Sequence, residues 1–379
     1  MTKPSGQVIC RIIKLMHVES KQAGASVTAK TFPTAIIWLF FSTFTPLAKG
    51  AAVLRSPWDG QPVKLTAAPY DCPKIVHLPS DLVTDGFYKD NDPTHSIIDP
   101  AREEAYKKSS GPVKNVGEEI VRDADAYRTT GSREAADCAL RQIVTLAREN
   151  AIAGRMSSNQ AYYVQGWVAG AIAIAYLKIL DSGMATSEER TLITAWLTRI
   201  GEATKDYYAR HDQIGHGDAH NNHLYWAGVE LVAIAVAAQN HSDFDWAIAA
   251  YDDGVSAIQA DGTLPNEMSR GQRALHYHLY ALAPLVLIAE FGAANGMDLY
   301  GHAKGAIHHL AEISVHGLRD PSLFEKRTGV AQEVPAQPSG DAIGWAPPYL
   351  RRFPDPLLAS LVHSARSLSV FYLGGLPPT

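Results

Sequence analysis

The sequence predicts an all-α protein, an α/α barrel or toroid assembled from helical hairpins. Three observations carry that expectation. From about residue 100 onward the chain reads as nearly continuous helix. Strand patterns are few, and none alternates with helices as a parallel sheet requires. Three segments, Ala161–Leu180, Tyr225–Ala238 and Leu279–Phe291, are apolar on nearly every side, as helices enclosed by other helices must be. Amphipathic segments lie between them, so each inner helix has an outer partner. Composition does not separate a toroid from an α-solenoid, and no repeat of fixed period is present.

Residues 1–50 read as a leader. Lys30 precedes an apolar core from Ala35 to Phe44, and Pro46-Leu47-Ala48 has the small-residue character of a cleavage site. The apolar run is short for a bilayer span, so export is expected, with a membrane-anchored N-terminus as the alternative. The stretch before Lys30 is long for a leader, which makes Met16 a candidate start. Residues 51–379 form one domain in this reading, because no Pro/Gly/Ser linker divides them. Cys10 belongs to the leader, which leaves Cys72 and Cys138 as an even pair. In an oxidising compartment these bridge, tying the extended N-terminal region to a helix; two free thiols are the other possibility.

The elements follow in order. Residues 79–100, with Asp85-Gly86 and Asn91-Asp92-Pro93, form a long loop of the kind that serves as a lid. Asp99 before Pro100 starts the first helix. Thr186 with Glu189 is a capping box. Gly183, Gly254 and Gly296 mark helix ends or turns, and Pro284 is expected to kink its helix. Arg319 to Pro356 is dense in Pro and Gly and reads as irregular.

The chain has 379 residues, 46% hydrophobic and 19% charged, ample for a folded core. A net charge of −5 argues against a nucleic-acid partner, which needs a basic face. No Gly-x-Ser-x-Gly elbow, Walker A loop or dinucleotide fingerprint is present. His216, His220 and His223 have spacings that could suit zinc, but Gly215 and Gly217 place His216 in a turn. Asp261 and Glu267 are the nearest candidates for a glycosidase pair. Each also has a plain role, Asp261 in an Asp-Gly turn and Glu267 as a first-turn acid.

Two stretches gather functional groups. Asn221-Asn222-His223-Leu224-Tyr225-Trp226 opens an apolar helix, whose unpaired N–H groups favour an anion. In Arg270-Gly271-Gln272-Arg273-Ala274-Leu275-His276-Tyr277-His278, the positions Arg270, Arg273, Tyr277 and Tyr280 fall on one helix face. His276 and His278, two apart, point to different faces, one to the cleft and one to the packing. An amide, an imidazole, a guanidinium and a phenol suit neutralising a carboxylate and removing the proton beside it. Each alone reads more readily as a satisfied core group; their combination carries the functional reading. Trp167, Tyr225 and Trp226, with Tyr162 and Tyr163, are placed either to stack on sugar rings or to fill a core.

These residues resemble polysaccharide lyase family 5, the mannuronate-specific alginate lyases of bacterial periplasm. The similar pieces are Asn221-Asn222-His223-x-Tyr225-Trp226-Ala227, Phe244-Asp245-Trp246-Ala247 and Asp261-Gly262-Thr263-Leu264-Pro265-Asn266-Glu267. Arg273-Ala274-Leu275-x-Tyr277-His278, Asn295-Gly296-x-Asp298-Leu299 and Leu373-Gly374-Gly375 follow, with the two cysteines, in order from about residue 65. The resemblance implies an incomplete α/α barrel, a toroid with a deep groove and a lid loop. It places the family's catalytic asparagine, histidine, arginine and tyrosine on Asn222, His223, Arg270 and Tyr277. In Gly86-Phe87-Tyr88-Lys89-Asp90, Tyr88 and Lys89 are the candidates for the lid tyrosine and lysine. The helix near Tyr162 and Tyr163 departs from the more basic sequence of the family.

The implied reaction is β-elimination on alginate without a metal or organic cofactor. Asn222, His223 and Arg270 neutralise the uronate carboxylate while Tyr277 removes the C5 proton and protonates the leaving O4. Arg273 and His223 provide positive charge to lower the phenol, and Arg273 also binds substrate. The expected protein is periplasmic and monomeric, without a stable membrane anchor after processing. An α/α-barrel hydrolase and a non-catalytic alginate-binding protein are the competing functions.

Overall fold

The computed structural model describes residues 52–378. The leader, its apolar core and Cys10 lie outside the described residues. Four hairpins organise the chain. Helix α1 (Pro100–Thr130) pairs with α2 (Arg133–Glu149), and α3 (Asn159–Ile179) with α4 (Ser187–Gln213). Helix α5 (Asn222–Ala238) pairs with α6 (His241–Ser256). After a single turn, α7 (Pro265–Met268), come α8 (Ala274–Ala294) and α9 (Ala306–Gly317). The inner helices touch in sequence, α1 on α3, α3 on α5 and α5 on α8, with the second helix of each pair outside. This is an α/α toroid. Among the described residues the only β pairing is a few isolated bridges.

Local sequence sets the boundaries. Asp99 accepts from the N–H groups of Ala101 and Arg102 with Pro100 at the first helical position, and Gly131 closes α1 in the left-handed conformation. The Thr186/Glu189 capping box forms as expected. Helices α3, α5 and α8 are enclosed along nearly their whole length, which explains their all-round apolar pattern. Segments Asn159–Ser182 and Gly271–Ala294 are apolar and long enough to cross a membrane, yet neighbouring helices cover most of each.

Helix α8 continues through Pro284 as one element, with buried residues around it. One expectation needs correcting. The stretch Arg319–Pro356 is less irregular than its composition suggests. It holds α10 (Ser322–Thr328), α11 (Gly340–Ile343) and α12 (Ala346–Arg352), followed by α13 (Pro356–Ser364). Proline at the first turn of α12 and α13 starts these helices instead of breaking them.

The end of the chain is drawn into the toroid by a buried cation. Lys178, 1% exposed, donates to Asp125 Oδ1 at 2.5 Å, to the Gly374 carbonyl at 2.6 Å and to the Leu376 carbonyl at 2.8 Å. Burial lowers the Lys178 pKa and raises that of Asp125, and their attraction opposes both shifts. Gly374 has a φ of +74°, and a Cβ there would strike Ile174. The turn Phe371–Leu373 consequently packs against α1, α3 and α8. Cys72 and Cys138 are bonded, with Cα atoms 5.4 Å apart, fastening the segment before α1 to α2.

Lys178→Met is expected to cost about 3–5 kcal/mol in urea unfolding, because it leaves Asp125 charged and unpaired in the interior. Reducing the disulfide is expected to cost about 2–4 kcal/mol by releasing the unfolded chain, measured by denaturation with and without reductant.

Candidate active site

The first turn of α5 is fixed by a carboxylate. Glu267, 1% exposed, accepts from the Asn222 backbone N–H at 2.8 Å and from Asn222 Nδ2 at 2.9 Å. Burial raises its pKa, and the two Asn222 hydrogen bonds and Arg270 oppose the rise. Asn221 caps the helix by accepting from the His223 N–H at 2.9 Å. The asparagine pair thereby sets the direction in which His223 leaves the helix.

His223 reaches the wall of a groove of about 1140 Å³. Its ring stacks on Tyr163 with centroids 3.8 Å apart. The Tyr163 hydroxyl donates to Asp218 at 2.6 Å, as does Tyr207 at 2.6 Å. His211 Nδ1 and His216 Nδ1 approach the same carboxylate at 2.7 and 2.6 Å. Burial alone would raise the pKa of Asp218, but these four partners bring it down to about 2. Burial, with Arg270 nearby, pushes His223 down to about 3, so its imidazole is neutral at working pH. The expectation that His223 adds positive charge is therefore corrected.

Opposite lies the lid. Asp92 is buried and accepts from the N–H groups of Thr94, Ser96 and Ile97 and from the Thr94 hydroxyl, holding the loop's turn. Burial works against the charge, but these donors win and keep it well below the usual carboxylate range. The loop presents Tyr88, whose hydroxyl lies 2.6 Å from that of Tyr277. Arg273 Nη1 donates to Tyr88, and Arg270 Nη2 donates to the His95 carbonyl at 3.0 Å. The Arg270 guanidinium also covers the Tyr277 ring, 3.8 Å from its centroid. Burial and the neighbouring Tyr277 raise the Tyr88 pKa, while Arg273 and Arg270 oppose the rise.

Arg270, Arg273, Tyr277 and Tyr280 all line the groove, but not from one helix. Gly271, at φ +55°, interrupts the backbone, and a 3₁₀ turn over Gly271–Arg273 precedes α8. His276 lines the groove, and burial with Arg273 and Arg270 lowers it to about 4. His278 is sealed in the core, accepting from the Leu264 N–H at 2.9 Å, as the two-residue spacing predicts.

Trp167 and Trp226 stand on the groove wall, and Lys89 on its exposed rim. Tyr225 does not belong with them. It is 2% exposed and packs toward Gly254 of α6, because it leaves α5 on the outer side. Asn222 is fully buried behind the wall, its Oδ1 without a partner. Neither Asp261 nor Glu267 lines the groove, and Arg327 pairs with Asp261, so the glycosidase pair is not assembled. His220 and His223 do not join His216 in a ligand set. The histidines that converge are His211 and His216, on Asp218.

Sequence reasoning missed three contributors. Glu267 read as a first-turn acid or half of a glycosidase pair, not as the partner of Asn222. Asp218 gave no signal. Lys114, partly desolvated over the rings of Tyr106 and Tyr372 at 5.5 and 5.7 Å, adds a cation to the groove.

The alginate lyase family model matches residues 86–324. A polysaccharide lyase of Stenotrophomonas maltophilia is 35% identical over 80% of this chain and 88% of its own length. The chain belongs to the alginate lyase family. An alginate lyase of Pseudomonas syringae pv. syringae is 28% identical over 90% of this chain and 92% of its own. Alginate lyase A1-III from Sphingomonas species A1 shares the fold with a TM-score of 0.68, at 24% identity, over 81% of this chain and 86% of that one. A histidine-to-alanine variant of A1-III complexed with tetrasaccharide has a TM-score of 0.72, at 22% identity, with 86% and 95% covered.

In this alginate lyase, Glu267→Ala is expected to cost about 1–3 kcal/mol by leaving the Asn222 N–H groups unpaired, measured in urea. Acid should also unfold the protein. His223 and His276 take up protons more readily when unfolded, so their contribution to stability is full above about pH 6.5. It falls as pH drops toward about 4 and about 3. His276→Asn should flatten that slope in pH-dependent denaturation.

Proposed function

We infer that this polysaccharide lyase cleaves alginate by β-elimination, with polymannuronate as the preferred substrate. One observation carries the mechanism. Two hydroxyls, of Tyr88 and Tyr277, lie 2.6 Å apart at the groove, beneath two guanidiniums. The lyase and alginate lyase names of the relatives, and the tetrasaccharide bound to a structural neighbour, support the substrate class.

The proton on C5 of a uronate is a weak acid while the adjoining carboxylate stays ionised. Arg270 places a permanent positive charge there, and a neutral His223 donates one N–H. Charge spreading onto the carboxylate as the proton leaves is met by donors already in position. Asn222 acts from behind the wall by holding the helix turn that carries His223. A free phenol has a pKa near 10, so Tyr277 needs help to serve as base. The Tyr88 hydroxyl and the cations Arg270 and Arg273 lie against the Tyr277 phenol, where they can stabilise the transition state of proton removal.

Tyr277 then returns the proton to O4. In mannuronate the C5 hydrogen and O4 lie on one side of the ring, within reach of a single phenol. The product carries a C4=C5 double bond. Trp167 and Trp226 offer flat faces to neighbouring sugars. The Lys30–Ala48 pattern supports export to the periplasm, and the protein acts as a monomer without an anchor. Fractionation and sedimentation test those two points.

Ultraviolet absorbance of the unsaturated uronate, followed on polymannuronate, polyguluronate and mixed polymer, tests the function. Polymannuronate should be cut fastest. Hydrolysis would yield reducing ends without the chromophore, and a binding protein would yield neither. Tyr277→Phe should lower kcat by at least about 10²–10⁴, as expected on loss of acid–base catalysis, with unchanged far-UV circular dichroism. Arg270→Ala should lower it by about 10²–10³. Wild-type rates in Tyr277→Phe would remove the assignment.

A further inference from the structure

A second cavity adjoins the groove and shares Tyr163, Trp167, His223 and Trp226 with its wall. Its walls come from three helices: Tyr162, Tyr163, Gly166 and Trp167 of α3, Thr204, Tyr207 and Tyr208 of α4, and His223, Trp226 and Glu230 of α5. About 10 Å³ is open to a water's centre, room for one molecule. Glu230 sits two turns along α5 from His223 and is 1% exposed. The mechanism above makes no use of it.

Space for this carboxyl has been made on α3. A Cβ at Gly166 would lie 2.7 Å from Glu230 Oε2, and one at Gly170 would lie 3.1 Å from the Glu230 Cα. Glu230's partner is Thr204, whose hydroxyl is 3.0 Å from both carboxyl oxygens. Two further polar atoms of the cavity-lining residues are buried without partners, His223 Nδ1 and Trp226 Nε1. Buried polar atoms are rarely left so, and a water needs two to four such partners.

We propose that a water in this cavity links Glu230 to His223 Nδ1 and sets the imidazole tautomer, making Glu230 a positioning residue for His223. Nδ1 is sealed, so Nε2 is the nitrogen able to face the groove. To donate to a substrate carboxylate, Nε2 must carry the ring's single hydrogen, and Nδ1 must then accept one. A protonated Glu230 supplies that arrangement: its O–H donates to the water, and the water donates to Nδ1. An ionised Glu230 reverses it. The water then donates to the carboxylate and accepts from Nδ1–H, leaving a lone pair on Nε2 facing the substrate's negative charge.

The surroundings decide which form is present. Burial raises the Glu230 pKa to about 8, and the Thr204 hydrogen bond opposes the rise only in part. The titratable groups facing it supply no positive charge. From α3 these are Tyr162 and Tyr163, from α4 Tyr207 and Tyr208, and from α5 His223, which is neutral. Tyr163 and Tyr207 commit their protons to Asp218, and Tyr208 donates to the His223 carbonyl at 2.9 Å. Glu230 is thus neutral below about pH 8 and ionised above it.

The inference rests on the proposed role of His223 at the substrate carboxylate, but its test does not need turnover. ¹⁵N NMR of histidine-labelled protein without substrate reads the tautomer, with the His223 signals assigned by their loss in His223→Asn. From about pH 6.5, His223 should carry its hydrogen on Nε2, and that hydrogen should move to Nδ1 as pH rises through about 8. In Glu230→Gln, which keeps a donor of the same shape but does not titrate, Nε2–H should persist throughout. Thr204→Val, which removes the opposing hydrogen bond, should move the exchange to higher pH. The alkaline limb of kcat/KM should follow the same three patterns. An Nδ1–H tautomer at neutral pH, no exchange in the wild type, or the same exchange in Glu230→Gln would overturn the proposal. Loss of alginate cleavage with the tautomer pattern intact would count against the proposed function alone.

Discussion

One interaction holds the site together: the sealed Glu267 carboxylate against the first turn of α5. Four backbone N–H groups at a helix start have no partner within the helix. Glu267 takes one of these from Asn222, and takes the Asn222 side chain as well. Because the chain segment carrying Glu267 leads straight into Arg270, the same contact fixes α5 relative to the groove's arginines. His223, Arg270 and Tyr277 then sit where three separate pieces of backbone meet. A carboxylate is well suited to this task because it accepts two hydrogen bonds in one plane without needing a proton of its own.

The electrostatics are local. The chain is acidic overall, with a net charge of −5, yet in its groove Lys89, Arg102, Lys114, Arg270 and Arg273 outnumber Asp90, Asp218 and Asp341. Partly desolvated cations act over short range more strongly than exposed ones. His223 is excluded from this group by its burial. A neutral imidazole between Tyr163 and a cationic arginine is a directional donor, and its value lies in which nitrogen holds the hydrogen. The tyrosine–histidine–aspartate network behind it serves rigidity, since Asp218 accepts from four side chains on α4, α3 and the turn after α4.

Most of the fold was legible because helices enclosed on every side cannot hide their apolar character. Ala161–Leu180 and α3 differ by only a few residues, as do Tyr225–Ala238 and α5. The break before α8 was not legible, because one glycine at positive φ changes the backbone without changing the pattern of side chains. Arg270 still reaches the groove, by a different path from the one periodicity suggests. Tyr225 misled because one face of an inner helix looks to the groove and the other to α6, and both are apolar. Glu267 misled, and Glu230 drew no reading, for another reason. A buried acid in sequence is indistinguishable from a solvated one until its partners are known.

The loop and Tyr277 are joined through one chain of hydrogen bonds. Arg273 donates to Tyr88, and the Tyr88 and Tyr277 hydroxyls bond each other. Without the loop, Tyr277 would lose a hydrogen-bond partner and Arg273 an acceptor together. Arg270 is tied to the loop as well, through the His95 carbonyl. One loop therefore sets the surroundings of Tyr277 and Arg270 together. The buried turn around Asp92 braces that loop with four hydrogen bonds, so Tyr88 and His95 are held as one piece.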